Sequence, residues 1–214
     1  LEAAIDILRA EGVAKAAKRA GREAGEGIIK MKVSQDGKHA ALLELKCETD
    51  FVARTDDFSA LADEQIEILF EKGEEGLRGK NIREKITDAA ARIGEKIDVG
   101  RSLVWQTEDF IGGYLHHNNQ LAVLVELSAP RPELARQMAM QIAAANPPYL
   151  SESDIPAAEK DREMEIFRRQ IADKPDAIKD KILAGKWRKR LTELALINLP
   201  FIHDDKISVA DYLK

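Results

Sequence analysis

The sequence predicts an α+β protein: two small subdomains with antiparallel sheets flanked by helices, plus a projecting antiparallel helical-hairpin (coiled-coil) arm. Three observations carry this. The spacing of apolar residues switches from a helical to an alternating period in two separate regions, each followed by a helix. The alternation of strands and helices is too irregular for a parallel βαβ sheet. The last third holds two long amphipathic segments joined only by Asp173-Lys174-Pro175-Asp176.

Taken in order, residues 1–27 are Ala-rich and helical, with Leu1, Ile5 and Leu8 on one face. Gly12 reads as a stop after the first helix, and Gly25 and Gly27 end the second. From Ile29 the period becomes two: Ile29, Met31 and Val33 alternate with polar residues, Gln35-Asp36-Gly37 supplies a turn, and 41–45 returns as a second strand. Thr55 followed by Asp56 and Asp57 opens a helix, because a hydroxyl cap and first-turn carboxylates suit the free N–H groups there. Phe58, Leu61, Ile68 and Leu69 form its stripe, and Gly73 is its expected end. A second helix is expected from Asn81, with Glu84 completing a capping box and Ile82, Ile86, Ala90, Ile93 and Ile97 inward.

A second β region follows at 102–105, 110–116 and 120–128, with a turn at His117-Asn118-Asn119. The near-continuous apolar run at 120–128 reads as a central strand. Pro132 opens a helix that Pro147-Pro148 closes. The arm then comprises a helix from near Pro156, carrying Met164, Phe167 and Ile171, and one from about Pro175, carrying Ile178, Ile182, Trp187, Leu191 and Leu194.

Composition excludes several classes. Charged residues make up 33% and nearly cancel, leaving a net charge of -5, so no field draws in nucleic acid. The single cysteine, Cys47, permits no internal disulfide and suits a reducing cytoplasm. No apolar run approaches the ~18–20 residues of a membrane span. The opening residues are amphipathic and mixed in charge, unlike a signal peptide, and Leu1 stands mid-helix, which implies that the natural chain begins earlier.

Motifs for bond chemistry fail on inspection. GEEGLRGKN (73–81) has five residues between Gly73 and Gly79 and Asn81 after Lys80, where a phosphate loop needs four and a Ser or Thr. His39, His116, His117 and His203 fall in no metal-ligand pattern, and adjacent strand residues such as His116 and His117 should point to opposite faces. Cys47 has no base at a defined spacing and reads as a small buried residue at a strand end. Lys186, Arg188, Lys189 and Arg190 surround Trp187, but that tryptophan belongs to the apolar stripe, so the basic residues read as a solvated face.

The segment CETDFVAR (47–54) is different. It reads as a surface loop between a strand and a capped helix. Two roles are open for Phe51. It could fold back as a staple on Phe58 or Leu61, or stay exposed as an aromatic anchor for a partner.

ETDFVAR after a strand, the preceding AGREAGEG, YLHHNNQLAVLVEL, AAANPPYLSESDIP and LINLPFIHDD together resemble the elongation factor Ts family, in order from Leu1 to Lys214. The resemblance implies a cytoplasmic translation factor that acts as the guanine-nucleotide exchange factor for elongation factor Tu. It implies no cofactor, no direct nucleotide binding, no membrane or nucleic-acid partner and no bond chemistry. Thr49, Asp50, Phe51 and Val52 match the segment that pushes against the GTPase near switch II and dislocates its Mg²⁺; His116, Ile202 and His203 match further contacts. The implied organisation is 1–26 as the last helix of a truncated N-terminal domain with a linker helix, 27–109 as an N-terminal core subdomain, 110–154 with 199–214 as an incomplete C-terminal core subdomain, and 155–198 as the arm. ISVADYLK resembles a segment that precedes a final strand and a C-terminal helical module. The sequence departs from the family pattern at Leu121-Ala122 and at Leu199. The competing reading is a non-catalytic helical adaptor binding other partners through 155–198, and the arm also offers a surface for self-association.

Overall fold

The computed structural model describes residues 21–214. The helical reading of the chain before Gly21, and with it most of the N-terminal domain expectation, lies outside the described residues. The chain divides into two compact units between Ala139 and Met140.

In the first unit, β1 (Glu26–Val33), β2 (His39–Cys47) and β3 (Asp98–Gln106) form an antiparallel sheet in the order β1-β2-β3. The β1–β2 turn is fixed by Asp36, whose carboxylate accepts from the Ser34 hydroxyl (2.6 Å) and the Lys38 N–H (3.1 Å). Alternation along β2 sends Ala41, Leu43 and Leu45 to one face, and all three are buried. Across that face lies the helix Asp56–Leu77, which buries Phe58, Ala62 and Leu69 completely. A short helix, α1 (Asp50–Ala53), precedes it, so Asp56–Leu77 is α2. The helix α3 (Lys80–Ile93) adds Ala89 and Ala90 to the core formed by Ile28, Leu45, Cys47, Ala53, Phe58 and Ile97.

The strand pair β4 (Phe110–Leu115) and β5 (Ala122–Leu127) makes a two-stranded antiparallel sheet, followed by α4 (Pro132–Ala145), which crosses the unit boundary. Gly112 lies so near Ala135 that an added Cβ would sit 2.4 Å from its methyl; one on Gly113 would sit 2.8 Å from Met31 Sδ. One face of the pair therefore meets α4 and the other meets β1.

In the second unit, α5 (Ala157–Gln170) and α6 (Asp176–Leu194) pack together. Arg190 pairs with Glu163 at 3.4 Å, and Lys186 reaches Gln170 at 2.8 Å. Ile155, Trp187, Leu191, Leu194 and Ala195 form their core, with Tyr149, Met164 and Phe167 against it. The Trp187 indole N–H donates to Glu152 at 2.8 Å, and Lys160 donates to the same oxygen at 2.7 Å. These donors, Lys160 first, hold the Glu152 carboxyl below its usual range. A small hairpin of β6 (Pro200–Phe201) and β7 (Asp204–Ser208) leads into α7 (Val209–Tyr212), which Ser208 caps. The buried Gln141 side chain ties β6 down: it donates to Pro200 O at 3.1 Å and accepts from Ile202 N at 2.8 Å.

Several expectations change. The strand at 102–105 spans 98–106 and pairs with β2, so it completes the first sheet rather than opening the second β region. The apolar run at 120–128 is not central: among the described residues β5 pairs with β4 alone. Its continuous hydrophobicity reports two covered faces, not two flanking strands. The break expected at Gly73 is present inside the Asp56–Leu77 span: its backbone leaves the helical region (φ 66°, ψ -169°), and a further short helical stretch follows to Leu77. The α3 start is Lys80, preceded by Gly79 with no side-chain cap; Glu84 faces Lys80 at 3.7 Å instead of closing a capping box. Ile97 is buried, but beyond the helix, and Ile178 is exposed because the α6 stripe dips inward only from Leu183 onward. CETDFVAR contains a helical turn, α1, where a loop is expected.

Phe58 is the largest side chain sealed between β2 and the helices. Phe58→Ala should lower stability by about 3–5 kcal/mol, seen as a fall in the urea midpoint with little change in slope.

Candidate functional site

The candidate site begins where β2 runs out. Cys47 is fully buried, and the chain then crosses the open end of the core as Glu48-Thr49 before turning into α1. Thr49 is extended (φ -125°, ψ 152°) and caps this helix, its hydroxyl accepting from Val52 N at 3.4 Å. Four residues form no stable helix alone, since nucleation costs more than one or two hydrogen bonds return. Here tertiary contacts hold it. Ala53 is buried, and Val52 packs half-buried on the core around Leu45, Cys47 and Phe58. At the far end Thr55 donates its hydroxyl to Val52 O (2.8 Å) and accepts from Phe58 N (3.3 Å), which links α1 to the start of α2.

Glu95 secures the near end. Its Oε2 accepts from the backbone N–H groups of Glu48 and Thr49, both at 3.0 Å, and its Oε1 accepts from the Thr49 hydroxyl at 2.6 Å. Glu48 answers by accepting from the Lys96 N–H at 2.7 Å. Two carboxylates thus cross-link 48–49 to 95–96.

On this frame Phe51 points away from the protein with 81% of its surface exposed. The staple reading is overturned, because Phe58 is already sealed without it. Asp50 stands beside Phe51 and pairs with Arg54 at 2.9 Å on the exposed side. Such a surface pair adds little to stability.

His116 lies just beyond β4 in the turn to β5, its Nδ1 2.7 Å from the Tyr114 hydroxyl. The His117 ring sits 4.2 Å from that of His116. The two histidines are therefore neighbours and not on opposite faces, because strand pleating has ended at Leu115. Asn119 O accepts from Ile29 N at 2.6 Å and anchors this turn to β1. A cavity of about 460 Å³ is lined by Asp50, Arg54, Asp56, His117 and Asn118, so α1 and the histidine turn face one hollow. Ile202 and His203 belong to the second unit. Ile202 is exposed beside Phe201, and the His203 ring meets Phe201 edge-on at 5.3 Å.

Among the described residues, no group of three or more His, Cys, Asp or Glu is placed to hold a metal ion, and no helix is long and apolar enough to cross a membrane. Cys47 is no nucleophile: burial, aided by the Glu95 charge, pushes its thiol up to about 11.

Residues 48–214 match the family profile described as Elongation factor TS. The chain belongs to the elongation factor Ts family. Elongation factor Ts of Prosthecochloris aestuarii is 39% identical over 233 residues, covering all of this chain and 81% of the relative. That of Aquifex aeolicus is 40% identical over 237 residues, covering all of this chain and 82% of its own. That of Nitratidesulfovibrio vulgaris is 40% identical over 227 residues, with 100% and 78% covered. The sequence draws attention to 49–52 but gives no local sign of Glu95, whose carboxylate braces that segment. Gly94 before it signals a helix end, yet nothing local reveals that the next side chain serves a backbone 46 residues away.

Because the folded thiol titrates well above its ordinary value, Cys47 should react with Ellman's reagent at pH 8 far more slowly in the native protein than in urea. The same shift means that Cys47 supports stability fully below pH ~9 and withdraws it as pH rises toward 11. Equal native and unfolded rates would show the strand end to be open.

Proposed function

We propose that this elongation factor promotes GDP release from elongation factor Tu by wedging Asp50 and Phe51 against the GTPase near its Mg²⁺ and switch II. The observation that carries the reading is the exposure of Phe51 on a helical turn fixed at both ends. A phenylalanine left in water forgoes roughly 1.5–3 kcal/mol of burial that a partner can supply. Aromatic anchors of this kind dominate protein interfaces, and a prearranged anchor loses little to ordering on binding. The four segment residues divide their work: Thr49 and Val52 hold the turn, while Asp50 and Phe51 make the contact. The cavity shared by Asp50 and His117 favours His116 as part of the same interface. Exposed Ile202 and His203 are further contacts in this reading.

The mechanism needs no bond chemistry and no cofactor on this chain. The factor binds nucleotide-free elongation factor Tu better than the GDP form, and GDP weakens the factor by the same ratio. About 1.4 kcal/mol of such coupling is worth tenfold in affinity. Disturbing the Mg²⁺ is efficient, since a bound cation is among the largest charges in a phosphate site. In this arrangement 27–109 is the subdomain that carries the wedge, and α5 with α6 forms the projecting arm within 155–198. The second reading, an adaptor acting through that arm, is favoured by exposed Ile166 and Ile178 on its helices.

Phe51→Ala should cut stimulated GDP release by about tenfold or more while the melting temperature stays nearly unchanged. Stopped-flow release of a fluorescent GDP analogue measures this, and wild-type rates from a stably folded variant would refute the wedge. Replacing 157–194 by a short Gly/Ser link should leave exchange largely intact. Loss of elongation factor Tu binding in that variant would favour the adaptor.

A further inference from the structure

We infer that Glu95 is a positioning residue for exchange, a buttress that fixes the direction of Phe51 without touching the partner; the inference rests on the wedge reading above. The turn that carries Phe51 has one side-chain cap, Thr49, and a cap works only if its own backbone is held still. At Thr49 both the backbone N–H and the hydroxyl are held by a single carboxylate. Glu95 takes the N–H of Glu48 and of Thr49 on one oxygen and the Thr49 hydroxyl on the other, at 3.0, 3.0 and 2.6 Å. Charge-assisted bonds of this type are shorter and stronger than neutral ones. The hydroxyl that donates to Glu95 is the oxygen that accepts from Val52 N, so Glu95 also orients the cap.

The geometry of the α3 end makes this possible. Gly94 closes the helix with φ 91°, a conformation that costs other residues a steric penalty, and the reversal aims Glu95 back at the strand end. Ile97, two residues on, is buried in the core that α1 packs against, so the buttress stands on a fixed base. Cys47 reinforces the same point, its thiol donating to Thr49 O at 3.2 Å. Glu95, itself half-buried, is thus hydrogen-bonded to Thr49, which lies two peptide bonds from Phe51.

The test is a double-mutant cycle with a structural readout. Glu95→Ala should slow GDP release from elongation factor Tu about tenfold in the wild-type background, but less than twofold in a Phe51→Ala background, since there is no ring left to aim. Glu95→Gln should recover most of the rate, because its amide oxygen still accepts from the two N–H groups and its NH₂ reaches the Thr49 hydroxyl. In the free protein, Glu95→Ala should speed amide hydrogen exchange at Thr49 and Val52 while leaving β2 protected. Equal losses in both backgrounds would overturn the buttress and make Glu95 a general stabiliser or a direct contact. Unchanged amide exchange would overturn it as well. If Phe51→Ala alone exchanges at the wild-type rate, the wedge reading fails; faster amide exchange in Glu95→Ala would then leave only a local structural brace.

Discussion

Burial of one face of β2 beneath α2 is the constraint on which the rest of the first unit depends. Strand pleating sends every second side chain to the same side. The run Ala41, Leu43, Leu45 and Cys47 therefore has to meet something apolar, and Phe58, Ala62 and Leu69 are what it meets. A slip of one residue would turn that whole set to water. With register fixed, the last buried position is Cys47, and the chain must leave the sheet there. The place from which α1 springs is thus decided by packing in the middle of the unit.

The departure point alone does not hold a four-residue helix. What holds it is closure at both termini by side chains from different neighbourhoods: Thr55 from the start of α2, and Glu95 from the end of α3 through Thr49. Inward Val52 and Ala53 supply apolar contact between them. An unbraced loop would spread an aromatic ring over many directions and spend binding energy on selecting one. This segment presents one direction, set by the same core that stabilises the fold.

Much of this was legible in the sequence. The first hairpin, the Thr55 cap, the burial of Cys47 and the paired C-terminal helices follow from periods and caps that involve neighbours within a few residues. Two of the failures share one cause: the deciding partner is distant in the chain. The 98–106 strand looks like the start of a new β region until β2 takes it. The β5 run looks central because covering by α4 and β1 gives the same residue pattern as flanking strands. The Asn81–Glu84 box fails because Lys80 already lies in the helix behind Gly79. For the candidate site, the segment 49–52 could be picked out, and local rules left the direction of Phe51 open. That direction came from the sealed state of Phe58 and from Glu95, neither visible in eight residues of sequence.

The charged neighbours of Phe51 also bear on how the free protein behaves in the crowded cell. A ring so open to water is an adhesive point, and a continuous apolar patch around it would invite clumping. Asp50, Arg54, Asp56 and Asp57 surround it in sequence, Arg54 and both later aspartates are exposed, and none offers a second greasy surface. The adhesive area stays the size of one side chain. A surface without a pocket shaped for that ring gains little from it and still has to desolvate the adjacent charges. Confining the apolar area to one side chain favours solubility, and the charged residues beside Phe51 are what confine it.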